Sequence, residues 1–251
     1  MGSLAVLILT KNEERNIAQT IRSVQGIADE IILADSGSTD RTAEIAKELG
    51  ARVEFRAWDG DFAAQRNFSL AQTRADWVLF LDADERPTPE LAQAIRKAAD
   101  SGAAKKYRLE RRTAAFGTVF KHGALKPDHV CRLFPRESVA WTGKVHERPV
   151  CSLPEEQLPG WLEHSTYAGW KDWERKLCLY STIWAEDAYA RGKRTSLAGV
   201  FAHGAGGFFK MFVLRLGFLD GAMGCCLCTL HSFYEMLKYL KLRELQGKNG
   251  R

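Results

Sequence analysis

The sequence predicts an α/β fold with a mostly parallel sheet covered by helices on both faces, and three observations carry that expectation. Short apolar runs alternate with segments of helical periodicity from Leu4 to Ser101. The runs are apolar throughout and lack the in-out alternation of a half-solvated strand, which indicates burial on both faces. Each run stops at a polar turn, and in parallel sheets ligands bind beyond the carboxyl ends of the strands.

The elements follow in order. "LAVLIL" (Leu4 to Leu9) reads as a first strand, and the turn "TKNEERN" leads into a helical pattern with Ile17, Ile21 and Val24 on one face. "EIILAD" (Glu30 to Asp35) is a second strand ended by "SGSTD". Thr39 or Asp40 suits the cap of a helix through "RTAEIAKEL", which Gly50 stops. "RVEF" predicts a third strand, Phe62 to Ala71 a helix, and "WVLFL" (Trp77 to Leu81) a fourth strand. "TPELAQAIRKAA" predicts a helix with Pro89 near its start. The polar clusters "TKNEE", "DSGSTD" and "DADE" therefore fall on one rim of the sheet.

After Ser101 the pattern changes. "KKYRLERRT", "TVF", "HVCRLF" and "KVHERPV" predict short strands of a mixed or antiparallel extension, and a helix is expected from Trp170 to Arg191. The tail from Gly206 is rich in Phe, Leu and Cys, with Lys and Arg spaced through it. Its longest uncharged stretch, between Asp220 and Glu235, falls short of the ~20 apolar residues that span a bilayer. Phe208 to Leu242 suits amphipathic helices lying in the membrane interface, with Lys210, Arg215, Lys238, Lys241 and Arg243 toward anionic headgroups; it equally suits a helical cap or a dimer contact. Two domains are expected, 1–165 around the sheet and 166–251 as a helical extension.

Composition sets the bounds. The chain has 251 residues, 45% hydrophobic and 27% charged, with a net charge of +5. That mild excess suits an anionic partner such as a nucleotide or a membrane surface and does not call for nucleic acid. The N-terminus enters a strand-like run without a basic leader, and Val6 stands where myristoylation wants Ser or Thr. Cys131, Cys151, Cys178, Cys225, Cys226 and Cys228 have no metal-site spacing and read as reduced thiols of a cytoplasmic protein.

The chemistry concentrates in "LFLDADERP" (Leu79 to Pro87), where a buried strand runs straight into Asp82, Asp84 and Glu85. Three acids so close repel one another, and a divalent cation resolves the conflict: two aspartates one residue apart at the end of a rigid strand reach one ion, directly or through water and phosphate. Such a cation bridging a diphosphate stabilises the charge that develops on a leaving phosphate. A DxD pair alone would also fit a solvated loop; its position on a rim shared with two other polar turns favours the cation.

"LILTKNEERNIAQTIRSV", "EIILADSGSTDRTAEIA", "AAQRNFSL" and "WVLFLDADE" resemble, in order and spacing, the nucleotide-sugar-binding segments of the family 2 glycosyltransferases, whose fold is GT-A. "WTGKVHERP", "YSTIWAEDAYARGKR" and the "LRLGFLDGAMG…KYLKL" tail resemble the lipopolysaccharide core branch, including its β-1,4-glucosyltransferases. The resemblance implies that Thr10, Asn12 and Glu13 meet the nucleoside, that Asp35 contacts the base with Asp40 in the same loop, and that Arg66 and Asn67 close over the nucleotide. It implies further that Asp82 lies near ribose and diphosphate and that Asp84 holds Mn²⁺ or Mg²⁺. Glu13 and Asp40 would equally suit helix starts, and Arg66 a helix surface.

For an inverting transfer, Glu147 in "GKVHERP" is the candidate base that takes the acceptor proton, with His146 as competitor. Strand alternation lets only one of them face a cleft. His164 in "WLEHSTY" is a candidate further metal ligand. The Q/RxxRW motif of processive members is absent, so a single sugar addition is expected. The implied enzyme uses a UDP-sugar, acts on a glycolipid, forms a possible homo-oligomer and rests on the cytoplasmic face of the membrane. Two other readings stay open: a haloacid-dehalogenase-type phosphatase built on Asp82 and Asp84, and a glycosyltransferase with a peptide or polyprenyl-linked acceptor. A nucleotidyltransferase would want a glycine-rich loop after the first strand, and a non-catalytic membrane adaptor would bind no UDP.

Overall fold

The computed structural model describes residues 2–143, 147–167 and 169–248. The chain forms two compact units, one of residues 1–111 and 128–164, the other of residues 112–127 and 165–251.

In the first unit the expected alternation is present: β1 (Leu4–Thr10), α1 (Ile17–Val24), β2 (Glu30–Asp35), α2 (Thr42–Glu48), β3 (Arg52–Phe55), α3 (Phe62–Ala71), β4 (Trp77–Asp82), β5 (Glu85–Pro87) and α4 (Pro89–Ser101). Further on come β6 (Lys106–Ala115), β7 (Thr118–Val119), β8 (Asp128–Pro135), β9 (Ala140–Thr142), β10 (Arg148–Val150) and β11 (Glu155–Tyr167). The strand order is β3-β2-β1-β4-β8-β6-β11-β5, with β9 and β10 as a separate antiparallel pair. β3, β2, β1 and β4 run parallel, while β8 turns antiparallel to β4 and β5 antiparallel to β11.

The continuous apolar runs have the predicted cause, since each central strand serves two cores. Leu4, Val6 and Ile8 of β1 and Leu79 and Leu81 of β4 pack with Ile17, Ile21, Leu91 and Ile95 of α1 and α4. Ala5 and Leu7 with Val78 and Phe80 point the other way, onto Ala63, Phe134 and Trp141. Phe80, fully buried, meets Trp141 edge-to-face at 5.1 Å. Capping is local: Asp61 accepts from Ala64 N–H at the start of α3, and Thr88 caps α4 with Pro89 just inside.

The second unit holds α5 (Trp170–Ala190), α6 (Leu197–Phe209), a π-helical turn (Lys210–Leu214), a 3₁₀ turn (Gly217–Asp220) and α7 (Gly221–Lys248). Ala185, Ala188, Val200, Tyr239 and Leu242 form the core of the three helices. Gly204 of α6 lies against Met236 of α7, and a side chain at Gly207 would meet Glu235 Cγ at 2.8 Å, so small residues let these helices approach closely. Asp220 accepts from His122 N–H at 2.8 Å and contacts His122 Nδ1 at 2.9 Å.

The tail corrects the sequence reading in two ways. The apolar helical stretch begins earlier, at Leu197. Leu197–Leu214, 18 residues of mean hydropathy 1.4 and 17% buried, is the one stretch among the described residues long and apolar enough to cross a membrane. Lys238 and Lys241 are also not free for headgroups. Lys241 Nζ donates to Cys178 O, Ser181 Oγ and Thr182 Oγ1, and Lys238 pairs with Glu235 at 2.7 Å.

Candidate active site

Register brings three of the sequence-predicted residues to one rim. Thr10 is the partner of Asp35 across β1 and β2, and Asp82 is the partner of Leu9 across β1 and β4. Asp35 and Asp82 therefore flank β1, about 10 Å apart by strand spacing. Thr10 Oγ1 is buried and has no hydrogen-bond partner among the described residues. A buried hydroxyl without a partner is costly, and a bound ligand would satisfy it.

The first two rim loops are zipped together. Asn12, at φ +56°, donates its N–H to Ser38 Oγ at 2.9 Å, and its Oδ1 accepts from Thr39 N–H at 2.8 Å. Glu13 N–H donates to Thr42 Oγ1 at 2.8 Å, and its carboxylate accepts from Asn16. Asp40 accepts from the Thr42 and Glu14 N–H groups at 3.0 and 3.2 Å. Burial would raise the Asp40 carboxyl, but these hydrogen bonds outweigh it and hold it below the ordinary range. Asp35 accepts from the N–H groups of Gly37 and Ser38 at 3.2 and 3.0 Å, which shapes the "DSGS" turn.

Asp82 sits in a charge network. It accepts from Arg66 Nη2 at 2.8 Å and from Arg132 Nη2 at 2.7 Å. Arg132 also donates to Glu85 at 3.1 Å, and Arg111 joins Glu85 at 3.0 Å and Asp128 at 2.7 Å. Burial pushes the Asp82 carboxyl up, and the charges of Arg132 and Arg66 more than reverse this, holding it far below the usual carboxylate range. The acid cluster that looked self-repelling in sequence is thus partly neutralised by arginines. Of these only Arg66 was legible as a site residue; Arg132 lies 50 positions from Asp82, and nothing in "HVCRLF" marks it.

Arg66 is 2% exposed and far from a helix-surface residue. Besides Asp82 it donates to Glu147 Oε1 at 3.2 Å, and its guanidinium lies 4.7 Å from the Trp141 ring centre. Its Nη1 has no partner among the described residues, a second unsatisfied donor at the site. Asn67 exchanges two 2.9 Å hydrogen bonds with the Trp141 backbone, which fixes β9 to α3. His146, the competing base, lies outside the described residues.

Asp84 follows in the β4–β5 turn and its Oδ2 stands 3.3 Å from His164 Nε2. His164 belongs to β11, opposite Glu85 of β5, so a strand presents it. Two ligand atoms about 2.1 Å from one ion at right angles stand about 3 Å apart, so this carboxylate–imidazole pair fits one Mn²⁺ or Mg²⁺. Among the described residues no three His, Cys, Asp or Glu side chains gather into a metal cage. Substrate oxygens would have to complete the coordination.

Comparison with known proteins agrees with this geometry. Residues 5–117 match the family described as glycosyl transferase family 2. An uncharacterized glycosyltransferase of Rickettsia typhi is 29% identical over 262 residues, covering 99% of this chain and 89% of the relative. The lipopolysaccharide core biosynthesis glycosyltransferase LpsC of Rhizobium meliloti is 28% identical over 240 residues, covering 88% and 83%. Glucosyl-3-phosphoglycerate synthase from Mycobacterium tuberculosis, solved with Mn²⁺, UDP and glucosyl-3-phosphoglycerate, is 27% identical over 46% of this chain and 45% of its own, at a TM-score of 0.37. The parallel half-sheet ending in Asp35, Thr10 and Asp82 lies within residues 5–117, and that segment is a family 2 glycosyltransferase domain.

Proposed function

We propose that this enzyme is an inverting, metal-dependent glycosyltransferase that moves a single hexose, glucose, from a UDP-sugar to a membrane-borne glycolipid, the inner core of lipopolysaccharide. The observation that carries the reading is the end of β4. Asp82 stands beside β1 with its unsatisfied Thr10 hydroxyl, buried Arg66 keeps one donor free, and Asp84 faces His164. The similarity to LpsC supports the lipopolysaccharide acceptor. Residues 1–165 would carry donor binding and chemistry, and 166–251 the attachment to the cytoplasmic membrane face.

In this mechanism the zipped loops of Thr10, Asn12, Glu13, Asp35 and Asp40 receive the nucleoside, with the Asp35 carboxylate accepting from uracil N3–H. Arg66 meets the nucleotide with its free donor while Asn67 holds β9 to α3 beside it, and Asp82 meets the ribose and diphosphate. Asp84 and His164 would hold the divalent ion, which would supply positive charge to the departing diphosphate, while Asp82, expected as a further ligand, is engaged by Arg66 and Arg132. Arg66 orients Glu147 through Oε1, leaving Oε2 for the acceptor proton. As that proton moves, the acceptor oxygen bonds to the anomeric carbon, and the bond from that carbon to the diphosphate oxygen breaks with inversion. A phosphatase would need Asp82 as a free nucleophile, but two arginines engage it.

Asp84→Ala should lower Mn²⁺-dependent UDP-sugar turnover by more than the roughly 10–100-fold expected from losing a mere supporting group. Turnover near the wild-type rate would remove the metal assignment. A parallel screen of UDP-, GDP- and dTDP-sugars for metal-dependent hydrolysis identifies the donor.

A further inference from the structure

The second unit contains a cavity of about 210 Å³ lined by Tyr167, Trp173, Lys176, Tyr180, His231 and Tyr234, with leucines between them. Pockets for drug-sized ligands run to roughly 300–1,000 Å³, so this one suits something smaller than a nucleoside diphosphate. We infer that this cavity of the helical unit binds one ring of a carbohydrate.

The argument rests on its lining. Trp173 and Tyr180 offer flat apolar faces, which match the C–H face of a pyranose, while Tyr167 is stacked on Phe116 with Lys176 over its ring and Tyr234 has Lys238 over its ring at 5.0 Å. The same wall is polar at intervals. The hydroxyls of Tyr167, Tyr180 and Tyr234 make no hydrogen bond among the described residues. Lys176 is pinned at the rim of Tyr167, donating to Thr166 O at 2.6 Å and lying 5.5 Å from the ring centre. His231 stands 3.7 Å from Glu235, and burial holds its imidazole below the ordinary value, leaving a ring nitrogen to accept. A polyol ring with one apolar face satisfies both sets.

The wall is also held in shape. Phe116 stacks on Trp170 at 3.9 Å and on Tyr167 at 5.8 Å, and Trp170 packs edge-on to Trp173 at 6.1 Å. Two of the four aromatic faces are therefore oriented before any ligand arrives, which lowers the ordering cost of binding.

This inference goes beyond the proposed function, and its test is independent of the donor site. The full-length protein, with no nucleotide present, is titrated with methyl β-D-glucopyranoside, methyl α-D-mannopyranoside and, as the alkyl control, octanoate. Intrinsic tryptophan fluorescence is the readout, with Trp173→Phe to assign the signal. At least one glycoside should give a saturable change that Trp173→Phe abolishes and that Tyr180→Ala and Tyr234→Phe each weaken by about ten-fold. Circular dichroism melts tell a lost fold from a lost site. No saturation with either glycoside, saturation that the variants leave untouched, or saturation with octanoate alone would each overturn the assignment. A separate titration of wild type with UDP and Mn²⁺ tests the donor reading, so the two fail distinguishably.

Discussion

Glu85 has no exposed surface and accepts from Arg132, from Arg111 and from the N–H of Asp82. Removing one partner of a buried charge group strands the others, at a cost of about 3–5 kcal/mol. Glu85→Ala should lose that much stability in urea unfolding; a loss under about 1 kcal/mol would mean the group behaves like an exposed pair. Asp82 gives a pH signature. Its folded carboxyl lies below its unfolded value of about 3.9, so its contribution is complete above that value and fades only as pH falls through the lower folded one. The stability gap between wild type and Asp82→Asn should hold at about pH 5 and narrow in stronger acid. A gap that collapsed near neutrality would contradict the arginine pairing.

At the scale of elements, β11 explains how the site is closed on its far side. It carries His164 opposite β5 and passes over the start of α4 at Gly160, where φ is +80° and an added Cβ would meet Leu91 N at 2.6 Å. Gly50 has a similar φ of +85° but nothing within 4 Å. Both glycines would pay left-handed strain as alanine, and only Gly160 adds a clash with backbone. Gly160→Ala should therefore be about 1–3 kcal/mol more destabilising than Gly50→Ala, measured by thermal unfolding. Equal losses would mean β11 moves off α4 freely.

For the whole molecule, the exposed apolar residues Phe209, Leu214, Phe218 and Leu219 gather around the π-helical turn, beside exposed Lys210 and half-buried Arg215. This combination suits insertion of the turn at an anionic bilayer surface, with basic side chains at headgroup level. The wild type should float with phosphatidylglycerol-containing vesicles, and Leu214→Glu with Leu219→Glu should remain at the bottom of the gradient. High salt should weaken flotation without abolishing it, because screening removes only the electrostatic part. A wild type that stays at the bottom would refute membrane attachment.

How far the sequence reached differs by region. Most helices and strands up to α4 stand where periodicity puts them, because the central strands bury both faces and those patterns are local; β5 falls inside the expected polar turn, and Arg41, neither Thr39 nor Asp40, is the N-cap of α2. Asp82, Arg66 and Glu147, named from separate segments, meet within hydrogen-bond distance. The long strand β11 and the π and 3₁₀ turns of the tail escaped, since β11 mixes exposed and buried positions and the turns interrupt a helical apolar pattern that continues through them. What the sequence alone determined was the order of elements and the acidic rim. Only tertiary structure decided which basic groups answer those acids, because Arg111 and Arg132 reach Glu85 and Asp82 through strand pairings that no local pattern encodes.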